Sequence, residues 1–352
     1  MAFESRSSVG YLCPYTVAEI IHAAGFVPVR ISVPNASREL ADAYLPPNFC
    51  PYLRHVVDLG VRGELASYDS IVVSHTCDGA RRTWDVLDGY AKGTDFFFLD
   101  LPKRNDQDSV VYFSTQLQRM VRFFEERSKR RVTKKNLRTA IELYNENRRL
   151  LGRVYSLRES FPAVLSGKEM ARILDFNVSV PVREANDRLR QAADRMEREG
   201  PAAGNDTGRK RVFVTGNLIH FGSYLAEIDE AGGVVAGDDL CFGGRYYQGT
   251  VDLGNDPLVA LAARYLSRVP CGRMERYTDR FDRLVEIVER TGARGVVYLG
   301  LKFCDNFLTD YPLLKKRLDE RKIPSLFCES EFYPAGTGQL RTRVEAFIEM
   351  LD

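Results

Sequence analysis

Short, continuous apolar segments alternate with amphipathic helical patterns in this chain. In its first third, the segments VPVRI, SIVVSH and DFFFLD have the length and composition of buried strands. The helical patterns that alternate with them are TVAEIIHAAG, PYLRHVVDLGVRG and ARRTWDVLDGY. Strands that are apolar throughout and separated by helices are typical of a parallel sheet covered by helices on both faces.

The same alternation returns in the last part of the chain. Its predicted strands are RVFVTGN, GGVVAGD, GVVYLG and PSLFCES. The predicted helices around them are SYLAEIDEAG, DPLVALAARYLSRV, DRFDRLVEIVERTGA, YPLLKKRLDERK and TGQLRTRVEAFIEMLD. We therefore expect an α/β fold with two flavodoxin-like parallel-sheet domains.

The region between the two alternating parts follows the helical period from Asp108 onward. The stretch GPAAGNDTGRK, which begins at Gly200, is rich in small and polar residues and is the predicted linker. The expected organisation is an N-terminal α/β domain (1–107), a helical region (108–200) and a C-terminal α/β domain (210–352). A chain of 352 residues agrees with about two domains.

Charge and hydropathy exclude several classes of function. The net charge of +2 gives no reason to expect a nucleic-acid-binding surface, and the basic cluster at 129–135 is expected to be a solvated helix junction. The N-terminus lacks a signal-peptide pattern, and no apolar run approaches the roughly 18 residues of a membrane helix. These features predict a cytoplasmic protein. Neither GxxxxGK[ST] nor a GxGxxG after a strand occurs, so we expect no ATP bound through a P-loop.

The chain has seven cysteines but no pattern of a disulfide framework. Their number is odd, no secretion signal is present and no CxxC occurs. Cys328 lies within the predicted strand PSLFCES and is expected to be a buried small side chain. The other six fall in predicted loops: Cys13, Cys50, Cys77, Cys241, Cys271 and Cys304.

Two of the loop cysteines follow predicted strands directly. Cys77 comes after SIVVSH and Cys304 after GVVYLG, at the edge of a parallel sheet where ligands bind. Asp78 and Asp305 follow them and are expected to cap the next helices. A thiol beside a helix N-terminus is favoured as thiolate, the form that binds metals.

The remaining loop cysteines fit the same scheme. Cys50 and Cys13 each stand before a proline and a predicted helix. Cys241 lies beyond the predicted strand GGVVAGD, in a loop that contains glycine, and Cys271 lies between a proline and a glycine. Spacing alone leaves two interpretations open. The thiols are buried small side chains, or they are ligands that converge only in the folded chain.

Other candidate groups are few, and no catalytic residue is assigned. His22 and His55 lie on helical patterns and are expected to be structural. His75 and His220, each just beyond a predicted strand, are better placed for proton transfer. Glu19 begins a predicted helix, where the helix dipole favours a carboxylate, so we expect a structural role for it as well.

The motifs around these cysteines resemble a known family. GYLCPYTVAEIIHAAGFVPVRI, the CPY at Cys50, the TCD at Cys77, LKFCD followed by DYPLLKKRLDERKIP, and GQLRTRVEAFIEML resemble the 2-hydroxyacyl-CoA dehydratase and benzoyl-CoA reductase family, of the 2-hydroxyglutaryl-CoA dehydratase D-component type. The resemblance runs over nearly the whole chain. It implies an iron–sulfur cluster between the two α/β domains, held by Cys50, Cys77 and Cys304. It also implies a separate ATP-hydrolysing activator with its own cluster, which agrees with the missing P-loop.

Three further cysteines, Cys13, Cys241 and Cys271, resemble the double-cubane cluster protein branch of this family. That branch implies an [8Fe–9S] cluster held by six cysteines, in a homodimer. The favoured hypothesis is an iron–sulfur reductase that takes low-potential electrons from the activator and reduces a small-molecule substrate. The alternatives are a dehydratase or aryl-CoA reductase subunit with one [4Fe–4S] cluster, a non-catalytic electron-storage or transfer protein, and a cluster-free α/β ligand-binding protein.

Overall fold

The computed structural model describes residues 7–33, 38–203, 208–217, 221–332 and 337–351. Its strands form two four-stranded sheets, and every pair of neighbouring strands is parallel. In the described part of the chain, no helix has both the length and the apolar character needed to cross a membrane.

The first sheet has the strand order β2-β1-β3-β4. Its strands are β1 (Ser8–Tyr11), β2 (Val27–Arg30), β3 (Ser70–Ser74) and β4 (Asp95–Leu99). The helices that connect them are α1 (Ala18–Ala23), α2 (Pro51–Val61) and α3 (Asp78–Tyr90), with short 3-10 turns at Ala41–Ala43 and Glu64–Ser67. The three predicted strands are confirmed. The central strand β1 is an addition, because its four residues include Ser8 and Gly10 and give no apolar run.

A set of long helices follows the first sheet, as predicted. These helices are α4 (Gln107–Ser128), α5 (Lys134–Ser160), α6 (Gly167–Asn177) and α7 (Val182–Ala203). Asp106, Thr133 and Ser166 each accept a hydrogen bond from the backbone amide three residues on, which caps α4, α5 and α6. The basic cluster at 129–135 is the largely exposed junction between α4 and α5, as expected.

The predicted linker begins too early. Helix α7 continues through Gly200 to Ala203, so the first four residues of GPAAGNDTGRK are helical. Gly200 lies against Phe161, and a Cβ atom at Gly200 would lie only 2.5 Å from Cδ2 of that ring. The glycine that indicated a break is therefore a close-packing position within a helix. Residues 204–207 of the linker lie outside the described ranges.

The second sheet repeats the relative strand order of the first, as β6-β5-β7-β8. Its strands are β5 (Lys210–Gly216), β6 (Gly233–Asp238), β7 (Gly295–Leu301) and β8 (Ser325–Ser330). Its helices are α8 (Phe221–Glu230), α9 (Pro257–Ser267), α10 (Asp279–Thr291), α11 (Asp305–Leu308), α12 (Asp310–Glu320) and α13 (Thr337–Glu349). All four predicted strands and all five predicted helices are present, and only the short α11 is new. The expected α/β fold with two flavodoxin-like units is confirmed.

A buried ion pair connects the first sheet's helix α1 to α5 and α9. Glu19 is fully buried and accepts hydrogen bonds from the Arg148 guanidinium and, at 2.8 Å, from the Tyr265 hydroxyl. One continuous apolar core surrounds this contact and includes side chains of both sheets and of the helical region. The structural role expected for Glu19 is confirmed, with a buried arginine rather than the helix dipole as its main partner.

Candidate functional site

Six half-buried thiols gather around the carboxyl edges of the two sheets. Cys13, Cys77, Cys241 and Cys304 lie two or three residues beyond the ends of β1, β3, β6 and β7. Cys50 directly precedes α2, and Cys271 lies between α9 and α10. The seventh cysteine, Cys328, lies inside β8 and is 2% exposed, as predicted for a structural side chain.

Three of these cysteines occupy helix N-cap positions themselves. Cys50, Cys77 and Cys304 precede α2, α3 and α11, and the Cys77 Sγ accepts a hydrogen bond from the Ala80 amide at 3.2 Å. The prediction that Asp78 and Asp305 cap these helices is wrong. Each helix begins one residue earlier, so these exposed carboxylates are first helical residues and the cysteines occupy the N-cap positions. Of these two cysteines, Cys77 is the one whose sulfur accepts a capping hydrogen bond. The predicted proline at the start of α2 is confirmed.

Cys13 lies further from a helix than predicted. Helix α1 begins at Ala18, and a turn separates the two, in which the Cys13 carbonyl accepts a hydrogen bond from the Thr16 amide at 2.9 Å. The residues of this turn are the ones that the sequence pattern assigned to the start of the helix. Cys13 is therefore a turn residue at the end of β1.

The six thiols divide into two groups. The first cysteine group is Cys50, Cys77 and Cys304, and the second cysteine group is Cys13, Cys241 and Cys271. Within each group the thiols are close enough to affect one another's pKa, and the Cys77 pKa also responds to Cys271 across the groups. The first group contains two thiols of the N-terminal unit and one of the C-terminal unit. The second group contains one thiol of the N-terminal unit and two of the C-terminal unit.

Hydrogen bonds between the two units bring the cysteine-bearing loops together. The Asn306 amide, beside Cys304, donates to the Thr76 carbonyl beside Cys77 at 3.4 Å. Arg268 donates to the Pro14 carbonyl beside Cys13 at 3.1 Å. Arg273, two residues beyond Cys271, donates to the Pro102 carbonyl at 2.8 Å. Each of these bonds joins a loop of one sheet to a loop of the other.

Two glycines allow the close approach that these loops require. A Cβ atom at Gly272 would lie 2.5 Å from the Asn306 carbonyl oxygen, so only glycine lets the Cys271 loop reach α11. A Cβ atom at Gly244 would lie 1.9 Å from the Asp238 carbonyl oxygen. The loop that carries Cys241 can therefore fold back over the end of β6.

Burial keeps five of these thiols protonated. Desolvation raises the pKa of Cys13 and of Cys50 to about 12, and it also raises the pKa values of Cys77, Cys241 and Cys304. The expectation that helix N-termini hold these groups as thiolates is wrong for the protein alone, because the cost of burying the charge exceeds the contribution of the amides. Binding of a cation would displace the protons.

The charged surroundings of the second cysteine group were missed from the sequence. Arg245, Arg268 and Arg273 are each at most 7% exposed, and Nη2 of Arg245 donates a hydrogen bond to the Cys241 Sγ at 3.3 Å. Their positions in the sequence could have indicated these surroundings, because each of these arginines lies within four residues of Cys241 or Cys271. Arginine is usually exposed, so a sequence alone gives no reason to bury it.

His75 forms a pair with a carboxylate beside the first cysteine group. Its Nδ1 lies 2.8 Å from Oδ1 of Asp100, whose other oxygen accepts a hydrogen bond from the Tyr112 hydroxyl at 2.6 Å. These contacts fix the orientation of the ring, and a role in proton transfer stays a prediction. His220 lies outside the described residues. His22 lies in α1 and the buried His55 in α2, as their helical patterns predicted.

The donor set suits a cluster better than a single ion. Within the described ranges, no three His, Cys, Asp or Glu side chains converge as one metal ion requires. A cluster binds each thiolate through a different iron, so its ligands are spaced more widely than those of one ion. Six partly accessible thiols without carboxylate or imidazole partners agree with iron–sulfur chemistry.

Comparison with known proteins decides the family. The family model for the 2-hydroxyglutaryl-CoA dehydratase D-component matches residues 13–351, nearly the full length of the chain. The chain belongs to this family. The matched region includes all six loop cysteines.

The relatives of this family member are components of enzymes. It is 24% identical over 347 residues to the (R)-phenyllactyl-CoA dehydratase beta subunit of Clostridium sporogenes, and the match covers 98% of this chain and 92% of that relative. It is 27% identical over 350 residues to a benzoyl-CoA reductase subunit of Thauera aromatica, covering 96% and 88%. It is 24% identical over 359 residues to the (R)-2-hydroxyglutaryl-CoA dehydratase beta subunit of Acidaminococcus fermentans, covering 99% and 93%. The chain is thus related to dehydratase and reductase subunits over its full length.

Proposed function

We propose that this protein is the iron–sulfur component of a reductase, with Cys13, Cys50, Cys77, Cys241, Cys271 and Cys304 as ligands of a double-cubane [8Fe–9S] cluster. The observation that carries the proposal is the division of six half-buried thiols into two groups, each supplied by both sheets. A single cubane uses at most four thiolates, so at least two of the six cysteines would have no role in the one-cluster alternative. In this proposal a separate ATP-hydrolysing activator supplies the electrons, and the protein works as a homodimer.

The chain's own residues prepare the site. Backbone amides at the starts of α2 and α3 and the Arg245 guanidinium donate hydrogen bonds towards cysteine sulfur. The half-buried loops limit the access of water to the thiols. When bound, the cluster would supply storage and delivery of single electrons at low potential. Hydrogen bonds to sulfur and limited solvent access are the means by which a protein adjusts that potential.

A second candidate function follows from the comparisons. The relatives are named as subunits of 2-hydroxyacyl-CoA dehydratases and of a benzoyl-CoA reductase. In that case the chain carries one [4Fe–4S] cluster on Cys50, Cys77 and Cys304 and needs a different partner subunit. A non-catalytic electron carrier is a third candidate, which predicts a reducible cluster without turnover when the activator and ATP are supplied.

Iron and sulfide content separates these candidates. We expect the anaerobically purified protein to contain about eight irons per chain, whereas one cubane would give about four. An iron-free protein would disprove both cluster proposals.

Single cysteine variants then test the ligand set. Cys241→Ser should lower the iron content, because it removes a thiolate of the second cysteine group. Cys328→Ala is the matched control, since Cys328 is buried inside β8, and it should keep the full iron content. An unchanged iron content in Cys241→Ser would contradict the six-ligand proposal. About four irons in both the wild type and Cys241→Ser, with equal activity of the two proteins, would favour the function of a dehydratase subunit.

A further inference from the structure

The two cysteine groups lie in electrostatically different surroundings. In the first group, the described hydrogen-bond donors to sulfur are neutral, namely backbone amides for Cys50 and Cys77 and the Asn217 side chain for Cys304. The carboxylate of Asp305 also acts on Cys50, and the positive charge of Arg273 acts on Cys77. In the second group, the positive charges of Arg245 and Arg268 act on the thiols. The carboxylate of Asp239 also acts on Cys241, but it lies 3.5 Å from Nη1 of Arg280, which balances its charge.

The arginines of the second group are built into the protein. Arg245 is 2% exposed and donates from Nη2 both to the Cys241 Sγ, at 3.3 Å, and to the Gly216 carbonyl. Arg268 is 7% exposed, and its Cζ lies 3.8 Å from the centre of the Tyr15 ring. Neither side chain is free to turn towards solvent.

The positive charge of Arg268 is not balanced by a carboxylate. Among the residues that the structure describes, its polar partners are the Pro14 carbonyl and the Tyr15 hydroxyl, and its Nε has no acceptor. Arg245 differs, because its Nη1 lies 3.9 Å from Oδ2 of Asp239. Burying a guanidinium without a counter-charge is costly. The cost indicates that an anion belongs beside the second cysteine group.

We propose that Arg245 and Arg268 are the counter-charge for the anionic sulfur and iron held by the second cysteine group, and that they make this group's iron easier to reduce than that of the first group. The inference rests on the proposed double-cubane function. Reduction adds one electron from a low-potential one-electron donor, and the negative charge of the site rises by one, with no proton or ligand released. Buried positive charge nearby stabilises the more negative state. The added electron therefore resides at the second group.

Charge-removing and charge-keeping variants test this inference. Arg268→Met should lower the reduction equilibrium constant of one cluster species by about tenfold, which is about 59 mV for one electron. Arg268→Lys keeps the charge and should hold most of the wild-type potential. The measurement is an anaerobic redox titration followed by electron paramagnetic resonance, on protein whose iron content has been determined.

Arg264→Met is the matched control. Arg264 is 6% exposed and also donates to backbone carbonyls, those of Tyr246 and Gln248, but no cysteine is among its described partners. This variant should shift the potential clearly less than Arg268→Met does.

The outcomes distinguish the inference from the proposed function. An unchanged potential in iron-replete Arg268→Met would overturn the inference alone. Equal shifts, or equal loss of iron, in Arg268→Met and Arg268→Lys would show a structural role and would also overturn it. Loss of iron in Arg268→Met only would support the counter-charge. A wild-type protein without iron would remove the proposed function and this inference together.

Discussion

At the scale of single residues, most buried arginines of this protein form an ion pair with a carboxylate. Arg148 pairs with Glu19, Arg280 with Asp310 and Arg158 with Asp238. Such pairs persist because the attraction and the surrounding hydrogen bonds offset the loss of hydration. Arg268 and Arg273, whose described hydrogen-bond acceptors are neutral, depart from this pattern beside the second cysteine group.

Removing one member of the Glu19–Arg148 pair should destabilise the protein strongly. In Glu19→Gln the Arg148 charge stays buried without its counter-charge, so we expect the free energy of unfolding to fall by about 3–5 kcal/mol. Urea denaturation measures the change. The control is Glu197→Gln, which breaks the exposed Arg153–Glu197 pair and should cost less than about 1 kcal/mol. Equal losses in the two variants would contradict this account.

The same pair predicts how stability depends on pH. Burial acts to raise the Glu19 pKa, but the charge and hydrogen bond of Arg148 outweigh it and the pKa is lowered. Ionised Glu19 therefore stabilises the folded state fully above its unfolded pKa of about 4.3, and this contribution is lost as pH falls through the folded pKa. The stability difference between the wild type and Glu19→Gln should stay constant from neutral pH to about 5 and narrow below that. A difference that is constant down to strongly acid pH would contradict the prediction.

At the scale of secondary-structure elements, the N-termini of three helices position the first cysteine group. Cys50, Cys77 and Cys304 lie at N-cap positions, so the helix geometry fixes the direction of each thiol. The same kind of cap can be tested away from the site, at α6. There the Ser166 hydroxyl accepts a hydrogen bond from the Glu169 amide, and the Glu169 carboxylate accepts one from the Ser166 amide, both at 3.1 Å.

Ser166→Ala should therefore lower the free energy of unfolding by about 1 kcal/mol, because it removes half of this capping box. Ser114→Ala, on an exposed position inside α4, is the control and should be neutral or slightly stabilising, since alanine favours helix. Urea denaturation of both variants decides the point. A Ser166→Ala protein as stable as the wild type would show that the cap contributes nothing.

The elements were predictable wherever a long apolar pattern marked them. Seven of the eight strands follow continuous apolar runs, and the long helices follow the 3.6-residue period. Strand β1 was not predicted, because Gly10 in a four-residue strand contributes no side chain. The end of α7 was misplaced, because Gly200 indicates a break in sequence while in the fold it makes room for Phe161.

At the scale of the whole molecule, contacts between distant parts of the chain determine which thiols lie close together. The sequence predicted six cysteines in loops, and the family resemblance separated Cys50, Cys77 and Cys304 from the other three. Spacing alone could not make this division, because the partners of Cys13 and Cys304 lie more than 200 residues away in the chain. Only the contacts between the two sheets, such as Asn306 with Thr76 and Arg268 with Pro14, set that arrangement. The buried charge around the second cysteine group depends on the same contacts.

Removal of iron should lower the thermal stability of the whole molecule. The proposed ligands come from both units, so binding to the folded state stabilises their association, and chelation removes this contribution. We expect calorimetry under anaerobic conditions to give a lower Tm for the iron-depleted protein than for the iron-replete protein. Cys328→Ala should show the same difference. Equal Tm values in the two states would contradict the proposed ligand set.

Because each cysteine group contains thiols of both sheets, the stage of translation limits when a group can be complete. When the ribosome has completed the first sheet, the nascent chain holds Cys50 and Cys77 of one group but only Cys13 of the other. Neither group is complete until a cysteine of the second sheet has been synthesised, and the first group waits for Cys304. With the proposed ligand set, insertion of the whole cluster requires translation beyond Cys304, and a product terminated before the second sheet would remain without it.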